Sequence, residues 1–294
     1  SPVIIIANTI TFAMRGLGDT KSGMWITFVT VPVQIGMAFL CYHTFGLAGL
    51  GYGALSGDLA GTIIGYCLYR RHFPAQGGHD ALPSGIGKDF FRLAIPVSLS
   101  KVVSPAATAA INALILTIGT EHVAVSGLGW RLEYFFYMPA MLMGSIAITM
   151  TAQNRDRLDM KKLAYHLCLW SLTPTLGMVL LAFFLRQPIW ALLTPDETLR
   201  AAGMAYWRIC LWAYPMIALE MTTTGILQAL NCGMPALVIT LVRTWGVQFV
   251  GTAMSARFGW GADGAWYSFL LANLVSLIVS AVWAWLKLKK RNLN

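Results

Sequence analysis

Arg15-Gly-Leu-Gly-Asp-Thr-Lys-Ser-Gly-Met24 has a degenerate echo, Gln228-Ala-Leu-Asn-Cys-Gly-Met-Pro-Ala-Leu237, displaced by 228 − 15 = 213 residues. With no gap, the same offset pairs Leu17 with Leu230, Ile26 with Ile239, Thr27 with Thr240, Val29 with Val242, Phe45 with Phe258, Gly46 with Gly259 and Gly51 with Gly264. These identities run in one order through a loop, an apolar stretch, a second loop and another apolar stretch, which is the mark of an internal repeat.

The stretches around the repeat are too apolar for a water-facing protein. The chain is 57% hydrophobic and 11% charged, whereas a soluble domain carries roughly a quarter charged residues. Its apolar runs reach about 20 residues, enough for a helix rising 1.5 Å per residue to cross a hydrocarbon core of about 30 Å. They lack the alternation of transmembrane strands. An all-α polytopic membrane protein is therefore expected, with eight spans at 24–43, 47–69, 94–118, 123–150, 164–186, 204–229, 236–256 and 264–286.

Net charge is +9, and its placement argues against a nucleic-acid partner. With alternating spans, one side collects Arg15, Lys21, Arg70, Arg71, Lys88, Arg92, Arg155, Arg157, Lys161, Lys162 and the Lys287 to Arg291 cluster. The other holds Arg186, Arg200 and Arg257. This positive-inside asymmetry makes the loops at 15–21, 70–92 and 153–162 and the C-terminus cytoplasmic, in a cell (inner) membrane. The cysteines Cys41, Cys67, Cys168, Cys210 and Cys232 have no metal-binding spacing and read as small packing residues.

The least apolar segment, His72 to Asp89, is rich in Gly and Pro and reads as a linker. It divides the chain into 1–73, the end of an N-terminal lobe; 74–90, a cytoplasmic linker; and 91–294, a C-terminal lobe of six helices. Six spans separate the two copies of the repeat, so both cross in the same direction, as in a parallel repeat. If the second copy begins near Ala94, the first begins near 94 − 213 = −119. The expectation is an N-terminally truncated piece of a twelve-helix, two-lobed transporter, one that inserts without transporting by itself because alternating access needs both repeats. Ser1 standing in place of an initiator Met agrees.

Arg15-Gly-x-Gly-Asp-Thr-Lys followed by Met24 resembles the loop between spans four and five of the multidrug and toxic compound extrusion (MATE) family. Residues 89–96, Asp-Phe-Phe-Arg-Leu-Ala-Ile-Pro, resemble the start of its span seven. Arg131-x-Glu133 with Met138-Pro139 and Gln153-Asn154 resembles span eight, and Leu227-Gln228-Ala229 with Pro235 resembles the turn between spans ten and eleven. The chain departs from the family at Gly23, where Pro is usual, and at Ser104, where many members carry an acid. It departs again at Arg155-Asp156 and at Glu220, which lies about one turn later than the family's span-ten acid. The resemblance implies a secondary antiporter that exports cationic or amphipathic drug-like compounds in exchange for protons or Na+. It implies small organic cations as partners, a lipid bilayer as surroundings, a monomeric state, and no cofactor, metal or catalytic residue.

Ionisable groups at bilayer depth cost several kcal/mol unless paired or wetted, so they are the first candidates for chemistry. Asp58 lies mid-span among glycines spaced by four and points away from their face. It is either a cation-exchanging carboxylate or a buried Asp bonded to a neighbouring hydroxyl. Glu220, five residues after Pro215 and just before Thr222, Thr223 and Thr224, is either a coupling carboxylate or the partner of Lys101 or Arg243. Pro215 is expected to free a carbonyl within a continuous span. The resemblance gives Glu133 a cavity role; Arg131, two positions away, cannot face it on a helix. Tyr134 and Tyr137 are candidate cavity lining through cation–π contacts, and Asn112 is a candidate polar contact or an interhelical hydrogen bond.

Two other functions remain open. Gly16-Leu-Gly-Asp19 fits the GxGD pattern of intramembrane aspartyl proteases, but Asp19 lies between Arg15 and Lys21, which stabilise an ionised carboxylate instead of the shared proton of a dyad. A flippase of the wider superfamily for lipid-linked oligosaccharides would need several Arg to grip pyrophosphate. Arg131, Arg208 and Arg243 keep that reading open.

Overall fold

A computed structural model of the chain describes residues 2–16, 19–72, 86–154 and 159–291. The chain divides into two compact units, 1–82 and 83–294.

The first unit contains α1 (Pro2–Gly16), α2 (Thr20–Phe45) and α3 (Leu47–His72). Asp19 opens α2 as its N-cap: its carboxylate accepts from the Ser22 backbone N–H at 3.0 Å and the Ser22 hydroxyl at 2.5 Å. This satisfies a donor that the first helical turn would otherwise leave unpaired. Gly46 (φ 59°) makes the turn from α2 into α3, a conformation open to glycine. The expected glycine face is how α3 meets α2. A Cβ on Gly53 would stand 2.5 Å from the Ala38 Cβ, and one on Gly57 2.7 Å from the Gln34 Cβ. Without side chains there, the helices approach closely.

The second unit contains α4 (Ile86–Ile118), α5 (Thr120–Gln153), α6 (Met160–Phe184), α7 (Arg186–Leu193), α8 (Glu197–Cys210), α9 (Ala213–Ala229), α10 (Met234–Leu241), α11 (Val250–Phe258) and α12 (Gly261–Arg291). Between α10 and α11 the helix continues as a π-helical stretch, Val242–Phe249. The centre of the unit is α9, which packs against α5, α6, α8, α10 and α12. Its contact with α5 relies on Gly225, where a Cβ would sit 2.5 Å from the Gly144 carbonyl oxygen.

Among the described residues, six helices are long and apolar enough to cross a membrane: Lys21–Phe45, Phe90–Ile118, Thr120–Gln153, Met160–Phe184, Met234–Phe258 and Gly261–Lys289. Two of the eight expected spans differ from that description. Glycine at every fourth position from Gly49 to Gly65 lowers the hydropathy of α3 while leaving a full-length helix. The expected span 204–229 is divided into α8 and α9, where the helical bonding is interrupted at Leu211 and Trp212 although both keep right-handed helical backbone angles. Pro215 has no N–H to offer the carbonyl four residues back, that of Leu211, which accepts from the Tyr214 N–H at 3.2 Å instead; the helical bonding changes at this point, and the carbonyl expected to be free is occupied. The outer surface is strongly apolar, with Leu192 90% and Phe184 76% exposed, as suits side chains that face lipid.

The 213-residue offset also relates helix ends. The end of α1 at Gly16 matches that of α9 at Ala229, and the end of α2 at Phe45 matches that of α11 at Phe258. Gly46 and Gly259, the residues after the ends of α2 and α11, both have positive φ, 59° and 70°. The linker expected at 74–90 falls outside the described residues up to 85; residues 86–90 already belong to α4.

Candidate functional site

Side chains from α4, α5, α9, the π-helical stretch and α12 surround a cavity of about 220 Å³. Spacing on α5 decides which residues reach it. Trp130, Glu133, Tyr134 and Tyr137, separated by three, one and three positions, share one face and line the cavity. Arg131 falls off that face and is exposed. Tyr134 and Tyr137 meet edge to face with ring centroids 6.2 Å apart.

Glu133 is 2% exposed. The Tyr214 hydroxyl, brought from the first turn of α9, donates a hydrogen bond to its Oε2. Oε1 is buried without a hydrogen-bond partner. Tyr206 of α8 closes the space beside it: a Cβ on Gly129 would strike the Tyr206 ring and stand 3.4 Å from Glu133 Oε1. The Cys210 thiol also lies within electrostatic range of Glu133.

The π-helical stretch supplies the opposite wall. Its i→i+5 bonding widens each turn and brings residues five apart onto one side, and Arg243 and Gln248 both line the cavity. The Trp245 indole N–H donates to the Val103 carbonyl at 3.4 Å, tying the stretch to α4. The Arg243 guanidinium lies 3.9 Å from Glu220 Oε2 and donates to Asn273 Oδ1 at 3.5 Å. The Thr224 hydroxyl donates to Glu220 Oε1 at 3.1 Å. Glu220 thus stands behind Arg243 and outside the cavity lining, and of its two anticipated partners the structure selects Arg243. Lys101 is exposed.

The other anticipated residues are dispersed. Asn112 lines two adjoining pockets, one of about 30 Å³ and a more open one of about 310 Å³, and not the cavity that holds Glu133. Asp58 lies in the first unit, half-buried on α3 one residue past Gly57. Of the loop motif, Arg15 and Gly16 end α1, Gly18 lies outside the described residues, and Asp19 caps α2. A carboxylate used as a helix cap does not serve as one member of a proteolytic dyad. Sequence reasoning did not pick out Tyr214, Gln248, Asn273 or Trp130 as lining. The signal for Tyr214 was its place just before Pro215, at what proves to be a helix start. Nothing in the sequence marks the π-helical register that turns Gln248 inward.

The comparisons with known proteins agree with this architecture. A family profile, MatE, matches residues 96–254. The chain is 23% identical over 304 residues to the probable multidrug resistance protein YpnP of Bacillus subtilis (strain 168), covering 96% of this chain and 65% of that one. It is 23% identical over 278 residues to the probable multidrug resistance protein NorM of Thermotoga maritima, covering 89% and 59%. It therefore spans less than two thirds of the length of either relative. A solved structure described as the outward-facing conformation of a multidrug resistance MATE family transporter of the MOP superfamily matches with a TM-score of 0.88 at 20% identity, over 99% of this chain and 68% of that one. At that identity the likeness concerns the fold.

Proposed function

The chain belongs to the MatE family, a family of membrane transporters and not of enzymes, and from that premise we propose that it is part of a secondary active antiporter. The transporter exports small cationic or amphipathic drug-like compounds in exchange for protons or Na+, by alternating access of two lobes. It acts as a monomer in the inner membrane, with the loops at 15–21, 70–92 and 153–162 and the C-terminus cytoplasmic. The multidrug descriptions of the two relatives support this reading.

The observation that carries it is Glu133, a carboxylate 2% exposed on a cavity wall that also holds Trp130, Tyr134 and Tyr137. The aromatic faces attract an organic cation. A carboxylate that accepts or releases a proton changes which conformation is cheaper, which is what coupling requires. Asp58 and Glu220 are proposed as further coupling groups, Glu220 through its hold on Arg243.

The flippase reading is less well supported. Among the described residues, Arg243 is the one arginine on the main cavity wall, and it is already engaged by Glu220 and Asn273. Gripping pyrophosphate calls for a cluster of such groups. Everted vesicles carrying the protein with both lobes separate the readings. Accumulation of a fluorescent organic cation driven by an imposed pH or Na+ gradient is expected. Gradient-independent translocation of a lipid-linked sugar without cation accumulation would favour the flippase.

A further inference from the structure

Next to the main cavity, toward the end of the second unit that carries the turns at Gly119 and Gly259, lies a smaller cavity of about 30 Å³. The two share Thr108, Trp130, Gln248 and Phe269 as walls, so Gln248 stands between them. The wall of the small cavity reaches Ile115 and Ala265, within about a turn of that end, and a third, wider pocket adjoins it at Asn112, Ser126 and Trp130. Polar groups follow this line: Asn112, Ser126, Thr252 and then Gln248, four residues back along the helix.

Two buried polar atoms along the line have no partner. Thr252 is 0% exposed and its Oγ1 makes no hydrogen bond; Oε1 of Glu133, at the inner end, makes none either. Buried polar groups are normally satisfied, and an orphan beside a polar cavity marks an ordered water. A volume of about 30 Å³ exceeds the roughly 10–15 Å³ that one water requires.

We propose that these linked cavities hold a file of water that carries protons between the Gly119 and Gly259 end of the unit and the Glu133 carboxyl. Thr252 Oγ1 is its fixed relay point, and the Gln248 amide orients the water beside it through hydrogen bonds. Protons hop along the hydrogen bonds, each oxygen releasing one as it accepts another, and the last water hands its proton to Glu133 Oε1. The groups surrounding that carboxyl are Tyr206 and Trp207 from α8, the Trp207 indole N–H being itself buried without a partner, Cys210 at the end of α8, Tyr214 from α9 and Arg243 across the cavity. The hydration follows from geometry alone; its use in coupling rests on the antiport reading above, whose orientation makes this end the non-cytoplasmic one.

The water is tested by radiolytic hydroxyl-radical labelling of the chain in lipid nanodiscs, because radicals formed from bound water mark adjacent buried rings. Tyr206 and Trp266 line the small cavity yet are 3% and 5% exposed; Phe136 and Trp190, 8% and 0% exposed, line neither cavity. Labelling of the first pair several-fold above the second is expected, falling to the level of the second in Thr252→Val and returning in Thr252→Ser. Equal labelling of the two pairs would overturn the proposal. The proton role is read from the infrared carboxyl signal that Glu133→Gln removes, followed after a pH jump. Thr252→Val should slow it several-fold and Thr252→Ser should not; an unchanged rate in Thr252→Val would overturn the path even if water is present. Neither readout requires transport, so failure of the antiport reading would leave both results interpretable.

Discussion

The Tyr214 hydroxyl donates to the Glu133 carboxylate across 81 residues of sequence, from the first turn of α9 to the middle of α5. The bond joins the most heavily buried helix of the unit to the cavity wall. Tyr214→Phe should therefore leave Oε2 as a second unsatisfied atom, at a cost of about 1–3 kcal/mol, seen as a lower melting temperature in detergent. It should also shift the pH profile of transport, because the proton affinity of Glu133 depends on what that oxygen accepts. An unchanged profile with an unchanged melting temperature would mean that the bond contributes nothing.

Glu220 and Arg243 form a part-buried ion pair. Glu220→Gln should abolish coupled efflux while preserving membrane insertion, and it leaves Arg243 without its counter-charge. Adding Arg243→Gln should recover part of the lost stability, with a coupling of about 0.5–3 kcal/mol in a double-mutant cycle. Additive melting shifts would remove the pair as an energetic unit, and wild-type drug resistance in Glu220→Gln would remove it from coupling.

The two copies of the repeat use glycine after equivalent helices, but in different conformations. Gly259 (φ 70°, ψ 25°) is left-handed helical, whereas Gly46 (φ 59°, ψ −137°) lies where side chains are excluded. Gly259→Ala should cost about 1–2 kcal/mol. Gly46→Ala should cost more, up to about 3 kcal/mol. Comparison of unfolding midpoints checks the order, and a reversed order would contradict it.

Outside the spans, the Thr198 hydroxyl and backbone N–H bonded to Asp196 hold its carboxyl below the usual carboxylate range. A depressed folded-state pKa stabilises the fold above the unfolded value and loses that contribution as pH falls through the folded one. Amide exchange at Thr198 and Leu199, corrected for intrinsic rates, should therefore accelerate only in acid. Asp196→Asn, which still caps but does not titrate, should lose that dependence. Acid-induced acceleration persisting in Asp196→Asn would place its origin elsewhere.

How far the sequence could be read depended on what each feature was made of. The Arg15 to Met24 repeat and the length of the apolar runs are linear patterns: the expected spans end at 229, where α9 ends, and at 43 and 256, each two residues short of the ends of α2 at Phe45 and α11 at Phe258. Of the α5 face, Tyr134 and Tyr137 were legible as aromatics at helical spacing and Glu133 through the family resemblance, whereas Trp130, one turn back on the same face, was not. The interruption at Leu211 and Trp212 left one signal, Pro215 four residues after Leu211, while the apolar side chains around it read as one continuous span. The π-helical register at Val242–Phe249 depends on tertiary packing and leaves no compositional trace, so Gln248 and its neighbours were missed. Glu220 stayed open between a coupling role and an ion pair with Lys101 or Arg243, because a mid-span acid looks the same in sequence whether it faces a cavity or a cation.

The proposed coupling at the cavity turns on Glu133. Its most direct test is accumulation of a fluorescent organic cation by everted vesicles that hold the protein with both lobes, wild type against Glu133→Gln, under an imposed proton or Na+ gradient. Gradient-driven accumulation should disappear in Glu133→Gln while the protein still inserts and still binds the fluorescent cation; accumulation at the wild-type rate and extent would contradict a coupling role for Glu133.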